Sequence, residues 1–295
     1  MPEPGGRTLR AALAYALARL DATSPSAQLD AELLLAHALG RDRSYLRAWP
    51  DATPLPERLA VFDELVARRC AGTPIAYLLG CREFWSREFR VSPAVLIPRP
   101  ETELLVELAL QSIATIENPR IVDLGTGSGV IAVTLALERP DAEVHATDIS
   151  RAALDVARAN ADALGARAVH FACGTWFEAL PTDQRFDLIV SNPPYIADDD
   201  PHLDTLELRH EPRSALAAGH DGYTALRRII TGATDRLTAD GDLLLEHGFE
   251  QAPTVQALLA RGGYREISLH RDLQGHPRVT RARIGRHAPI GTANV

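Results

Sequence analysis

The 295-residue chain contains no lysine, so all 31 of its basic residues are arginine. This excludes lysine Schiff-base chemistry and the phosphate-gripping lysine of a P-loop, and it keeps every such cation permanently charged. Cysteine is scarce too. Cys70, Cys81 and Cys173 are odd in number and form no C-x-x-C pair, which excludes a disulfide framework or a cysteine zinc site and points to a reducing compartment, the cytoplasm. His210, His220 and His247 lack metal-ligand spacing, so no metal is expected. No run reaches the roughly 20 apolar residues of a membrane span, and Met1–Gly6 lacks the charged start and apolar stretch of a secretory signal. The formal net charge of −8 argues against a protein that grips nucleic acid by its phosphates. A protein or small-molecule partner is the expectation, without membrane or direct nucleic-acid contact.

What is present is ordinary globular composition, 46% hydrophobic and 24% charged, enough for one large or two modest domains. The first 80 residues read as a helical bundle. Leu9, Leu13, Leu17 and Leu20 recur at near-3.6 spacing. A second helix is expected from Ser24 as N-cap and Pro25 at the first helical position to Gly40 as C-terminal glycine. A third is expected from Pro56 to Cys70, ended by Gly72 and Pro74. Over 81–100 the aromatic and β-branched residues Phe84, Trp85, Phe89, Val91 and Val95 suggest a linking β-hairpin. From Ile121 on, apolar strands alternate with helical stretches: Ile121–Leu124, Val144–Thr147, Val169–Ala172, Phe186–Ser191, Leu243–Leu245, Tyr264–Leu269 and Val279–Ile284. Such alternation indicates a mostly parallel α/β sheet whose last two strands pair antiparallel. The catalytic domain is thus expected over 101–285, followed by a flexible tail at 286–295.

Two motifs carry chemistry. Asp123-Leu124-Gly125-Thr126-Gly127-Ser128-Gly129 follows a strand and precedes a helical run, the layout in which glycines admit a ligand close to the backbone and the helix start offers N–H groups to an anion. The third glycine comes one residue earlier than in the dinucleotide fingerprint G-x-G-x-x-G, which favours S-adenosylmethionine over a nicotinamide dinucleotide. Asp148, about 20 residues past the glycines, stands where a carboxylate can bind ribose hydroxyls. Asn192-Pro193-Pro194-Tyr195 ends another strand. An amide or exocyclic NH2 is a poor nucleophile. The Asn192 side-chain oxygen and the Pro193 carbonyl can each accept one N–H and orient the nitrogen lone pair, while Tyr195 offers a flat face. Glu101 and Glu103 could border the cofactor entrance or simply favour a helix N-terminus, and Asp198, Asp199 and Asp200 read as a solvated acidic loop.

Asn192–Tyr195, the Asp123–Gly129 loop and Ile97-Pro98-Arg99-Pro100-Glu101-Thr102-Glu103 together resemble the release factor glutamine N5-methyltransferases, the PrmC/HemK family. Asp30-Ala31-Glu32-Leu33-Leu34-Leu35 and Leu244-Leu245-Glu246-His247-Gly248 extend the likeness over nearly the whole chain. Adenine-N6 methyltransferases of DNA or RNA share the Asn-Pro-Pro-Tyr motif but lack the Ile97–Glu103 stretch. A ribosomal-protein glutamine methyltransferase and an idle cofactor-binding module are further alternatives. The resemblance implies a seven-stranded Rossmann-like class I S-adenosylmethionine-dependent methyltransferase sheet with a small N-terminal all-α substrate-recognition domain. It implies a glutamine in the Gly-Gly-Gln loop of class I release factors as substrate, S-adenosyl-L-homocysteine as by-product, and a monomer. Gly125, Thr126, Gly127, Ser128 and Gly129 would then bind the cofactor with Asp148, Trp176 and Asn192, and Asn192, Pro193, Pro194 and Tyr195 would hold the glutamine. Thr175 stands where many relatives have an acidic residue, and Ser86 where some have glycine.

Overall fold

A computed structural model describes residues 6–284, so the expected tail at 286–295 lies outside the described residues. The chain divides into two compact units. One holds the described residues up to Cys81 together with Asp204–His210; the other holds Arg82–Leu203 and the described residues from Glu211 on.

The first unit is helical: α1 (Leu9–Leu20), α2 (Ala27–Leu39), α3 (Arg43–Ala48), α4 (Pro56–Cys70) and α5 (Ile75–Leu79). Helix α1 is capped by Thr8, whose hydroxyl accepts from the Ala11 amide at 3.3 Å. It buries Leu9, Ala12, Ala16 and Leu20, with Leu13 and Leu17 only flanking the core. The expected leucine face is therefore rotated, because alanines on the contact line let neighbouring helices approach closely. Helix α2 begins at Ala27, after the expected Ser24–Pro25 start. The Ser24 hydroxyl is committed to the Asp30 carboxylate at 2.7 Å instead, and Ser26 occupies the cap position without a side-chain capping bond. Its end is as expected, with Gly40 left-handed at φ 63°. Helix α4 has Pro56 in its first turn, where no N–H is needed. At the centre of this unit, buried Arg69 donates from Nε to Asp30 at 2.7 Å and from Nη2 to Glu207 at 2.7 Å.

The second unit opens with a hairpin, β1 (Cys81–Phe84) and β2 (Arg87–Arg90), turning through Trp85 and Ser86 at φ 52° and 55°. Ser86 thus holds a conformation that suits glycine. There follow α6 (Thr102–Ser112), β3 (Arg120–Leu124), α7 (Val130–Glu138), β4 (Glu143–Asp148), α8 (Arg151–Leu164), β5 (His170–Cys173) and β6 (Phe186–Ser191). The last elements are α9 (Thr224–Ala233), β7 (Leu237–Glu246), α10 (Ala252–Arg261), β8 (Tyr264–Arg271) and β9 (Pro277–Ile284). Seven strands form one sheet in the order β5-β4-β3-β6-β7-β9-β8. Strands β3 to β7 run parallel, and β9 pairs antiparallel with both β7 and β8.

Alternate residues along the central strands feed two cores, as a two-residue period requires. Ile121, Leu188, Val190 and Leu244 pack with α6 and α7, whereas Val122, Leu124, Ile189, Leu243 and Leu245 pack with α9 and α10. Helix α7 is apolar apart from Thr134 and Glu138, and Val130–Leu135 are all buried. Strand order reverses between β3 and β6, and the carboxyl ends of strands flanking such a reversal form the crevice in which open α/β sheets bind ligands.

Candidate functional site

Both chemical motifs lie at that crevice. The amides of Gly125 and Thr126 donate to the Thr147 carbonyl of β4 at 2.8 and 2.9 Å, which fixes the start of the glycine loop against the neighbouring strand. At Gly125, φ is 75° and an added Cβ would stand 3.2 Å from the Trp176 ring, so a side chain there is both strained and crowded. Gly129 serves a different purpose. Its φ is 83°, and a Cβ would lie 3.0 Å from the Ala157 Cβ of α8; glycine here lets α7 and α8 close together.

Carboxylates organise the loop. Asp148 at the end of β4 accepts from the Gly127 amide at 2.9 Å and from the Ser150 amide at 2.8 Å. The helix cap of α8 is Ser150, which accepts from Ala153 at 3.2 Å. Asp123 is fully buried and accepts from the Thr126 hydroxyl at 2.6 Å through Oδ2, while its Oδ1 is buried without a partner. Burial is the main reason that its carboxyl is pushed up to about 7; the Thr126 bond and the Ala132 amide oppose the shift, and Asp148 adds to it.

The reaction motif is tied to the same frame. The Ser191 hydroxyl donates to the Leu124 carbonyl at 2.6 Å, joining β6 to β3, and the next residue, Asn192, donates from Nδ2 to the Thr102 hydroxyl at 3.1 Å. A cavity of about 350 Å³ opens between these elements. Gly125, Thr126, Gly127, Ser128, Asp148, Trp176, Asn192 and Pro194 line it. Gly129, Pro193 and Tyr195 are outside its lining. Tyr195 packs instead against the α9 and α10 core. Its phenol is pushed up to about 12, chiefly by burial and next by the charge of Glu246, and its carbonyl accepts from Gln251 Nε2 at 3.0 Å.

Glu103 accepts from the Trp85 amide at 2.8 Å, a hairpin brace rather than a cofactor contact. Asp200 accepts from the His202 amide at 2.9 Å, as expected of a self-satisfied loop. Sequence reasoning passed over three groups. Thr102 binds Asn192. Glu246 is buried at the end of β7, and burial is the main reason that its carboxyl is pushed up to about 7. Glu211 accepts from the Ile97 amide at 3.0 Å and from Arg99 at 2.5 Å, holding the Ile97–Glu103 segment where Arg99 and Thr102 line the cavity. Thr102 and Glu246 stand inside the family segments Ile97–Glu103 and Leu244–Gly248, but nothing local in those segments announces where the fold places them. Among the described residues, no group of three or more His, Cys, Asp or Glu is placed to hold a metal ion, and no helix is long and apolar enough to cross a membrane.

Two family models match the chain: the PrmC N-terminal domain over residues 11–80 and the methyltransferase small domain over residues 101–219. Together with the seven-stranded sheet and its crevice, they make the chain a methyltransferase of the Rossmann-like class. The release factor glutamine methyltransferase of Bordetella pertussis is 52% identical over 253 residues, spanning 86% of this chain and 93% of that one. That of Vibrio cholerae is 47% identical over 274 residues, spanning 92% and 96%. The chain belongs to the release factor glutamine methyltransferase family. Among solved structures, a Thermus thermophilus 16S rRNA N2 G1207 methyltransferase in complex with AdoMet and guanosine superposes with TM-score 0.52 at 21% identity, covering 69% of this chain and 49% of that one. This last likeness is one of fold.

Proposed function

We propose that the protein transfers a methyl group from S-adenosylmethionine to the side-chain amide nitrogen of the glutamine in the Gly-Gly-Gln loop of class I release factors. The carrying observation is that Asn192 and the glycine loop line one cavity, so a donor cradled by the loop and an acceptor held by Asn192 would meet there. The residues suit this cofactor. Gly125–Ser128 leave room for the methionine end, Asp148 stands at the strand end where ribose hydroxyls bind, and Trp176 offers a flat wall for adenine. S-adenosylmethionine supplies an electrophilic methyl group on a cationic sulfonium with a good leaving group.

The chain's own contribution is positioning. With Nδ2 committed to Thr102, the Asn192 amide has its oxygen left for a ligand, and that oxygen accepts one N–H of the substrate amide. That bond draws the nitrogen out of conjugation and aims its lone pair, whereas Pro193, outside the cavity lining, keeps no assigned substrate contact. No strong base is needed before attack, since the nitrogen becomes acidic once methylated. Pro194 and Arg99 border the acceptor side of the cavity. The helical unit within residues 1–80 serves substrate recognition, and the protein acts as a cytoplasmic monomer.

The test incubates the protein with methyl-labelled S-adenosylmethionine and, separately, a recombinant class I release factor, its Gly-Gly-Gln→Gly-Gly-Ala variant, and duplex DNA. Label on the glutamine of the intact factor alone is expected. Label on adenine, or on no substrate, overturns the reading.

A further inference from the structure

Arg99 is held more rigidly than a cavity wall requires. Proline flanks it on both sides, Pro98 with its fixed φ before it and Pro100 confining Arg99 itself to extended backbone. Its carbonyl accepts from the Thr102 amide at 3.1 Å, so Arg99 stands one turn from the residue whose hydroxyl holds Asn192 at 3.1 Å. At the far end of the side chain, Nη2 donates to Glu211 Oε1 at 2.5 Å, while Glu211 Oε2 accepts from the Ile97 amide at 3.0 Å. The carboxylate thus grips this segment by main chain and side chain together. Its own side chain is 1% exposed, against 34% for Arg99.

A buried ion pair adds little net stability, because desolvation offsets the attraction. What this pair fixes is the direction of a guanidinium. That group carries more N–H donors than Glu211 can use, and among the described residues Glu211 is the one hydrogen-bond acceptor that takes any of them. Arg99 lines the cavity that Asn192 and the glycine loop share, so the unused donors await a ligand. Their charge is already answered by Glu211, and a second anion would meet that carboxylate; a neutral carbonyl fits better. The side-chain carbonyl of the acceptor glutamine is the wrong target. A donor on that oxygen deepens amide conjugation and withdraws the nitrogen lone pair, which opposes what Asn192 does. The carbonyls that remain are those of the acceptor's main chain, set off from its amide only by the Cβ and Cγ methylenes. The glycines of a Gly-Gly-Gln loop offer nothing but main chain to read.

We propose that Arg99, pinned by Glu211, is a specificity residue for methyl transfer: its unused N–H groups donate to a main-chain carbonyl of the polypeptide that carries the acceptor glutamine. Arg99 is then the substrate contact, and Glu211 is the positioning residue behind it. This rests on the proposed role of Asn192. A glutamine within a chain satisfies Asn192 with its amide and Arg99 with its backbone, whereas a free primary amide satisfies Asn192 alone.

The test uses the full-length protein saturated with S-adenosylhomocysteine, a recombinant class I release factor as probe, and the variants Arg99→Met, Arg99→Lys, Glu211→Gln and the double Arg99→Met/Glu211→Gln. Equilibrium binding of the factor to Arg99→Met should weaken on the order of 10- to 100-fold, the worth of one hydrogen bond from a charged donor, while S-adenosylhomocysteine Kd stays near wild type. In turnover, KM for the factor should rise in step and kcat should change little, since a main-chain contact serves substrate and transition state alike. Arg99→Lys keeps the charge but not the planar fork and should recover only part of the loss. Glu211→Gln should also weaken the factor, and should add nothing to Arg99→Met, because it acts through that side chain. The double variant strands no carboxylate and carries the test if Arg99→Met alone does not fold. Release factor bound as tightly without the Arg99 guanidinium, or a loss shared equally by the cofactor, would overturn the proposal. A Glu211→Gln effect that persists in full beside Arg99→Met would overturn the positioning role. A wild-type protein that neither binds nor methylates a release factor sinks the proposed function and this inference with it, a result distinct from methylation that survives Arg99→Met unchanged.

Discussion

Replacing Arg69 by methionine should cost the helical unit on the order of 3–5 kcal/mol, the usual penalty for stranding the partner of a buried ion pair. The side chains of Arg69 and Asp30 are 3% and 5% exposed, and Nε approaches the carboxylate at 2.7 Å. At that distance the attraction is about 6 kcal/mol for an effective dielectric near 20. Desolvating the two ions costs several kcal/mol each, so the intact pair is nearly neutral in sum. Removing one member is not neutral. Arg69→Met leaves Asp30 buried with only Ser24 and Ser26 as hydroxyl donors, at 2.7 and 3.0 Å. The converse change, Asp30→Leu, should cost less, because Arg69 keeps Glu207 at 2.7 Å, and the Glu207 side chain is 55% exposed. The double variant, with no buried charge, should be more stable than Arg69→Met alone. Because the chain has two units, a global melt would mix two transitions; amide hydrogen exchange in α2 and α4 reports the helical unit by itself. An Arg69→Met loss below about 1 kcal/mol, or a double variant as unstable as the sum of its singles, would refute the reasoning.

Asn192→Ala should lower turnover by roughly 100-fold or more while cofactor affinity measured by calorimetry stays near wild type; comparable loss of both would refute the division of roles. Gly129→Ala should destabilise by about 2–5 kcal/mol in denaturant melts, combining left-handed backbone strain with overpacking against Ala157; a cost under about 1 kcal/mol would mean that α7 and α8 are free to separate. Asp123 has a folded pKa raised to about 7, so the native state holds its proton more tightly than the unfolded chain. Its stabilising contribution is complete below the unfolded value near 4 and is lost as pH rises from there to about 7, on the order of 4 kcal/mol. Asp123→Asn should remove that part of the decline between about pH 4 and 7, and an unchanged slope would count against it.

Local signals were legible wherever the deciding contacts were local. Pro56 and the apolar spacing after it delimit α4 without help from the rest of the chain, and the antiparallel pairing of the last two strands follows from their closeness in sequence. The start of α2 was misplaced because Ser24 reads as a cap but is claimed by Asp30 and, from 45 residues away, by Arg69 at 3.3 Å. Strand β7 runs from Leu237, six residues before the apolar core Leu243–Leu245, because its polar beginning is held to β6 by the Phe186–Leu237 pairing and the Thr238 hydroxyl's bond to Asp187 at 3.0 Å. At the site, the glycine loop, Asp148 and Asn192 stood out because spacing along a strand–turn–helix unit constrains them. Tyr195 looked like a cavity wall, but its ring is claimed by the core beneath. Thr102 and Asn192 are 90 positions apart in sequence, and only the fold brings them together. Their partnership has no one-dimensional trace.

The grouping of Asp204–His210 with the N-terminal helices has a consequence for vectorial synthesis. A ribosome delivers α1 to α5 early, yet the piece that supplies Glu207 to Arg69, and Arg209 to the Ala71 carbonyl at 2.7 Å, emerges only after β3 to β6 have been made. The N-terminal unit must therefore wait, partly assembled, through more than a hundred further residues before its last ion pair can close. At about 5–20 residues per second this is an interval of roughly 6–25 s. During that interval Arg69 has Asp30 but not Glu207, and the helices that will clasp the returning segment still expose the surface it covers. Nascent chains stalled before and after residue 210 should therefore differ in how easily proteases cut α4, although every residue of α4 is present in both.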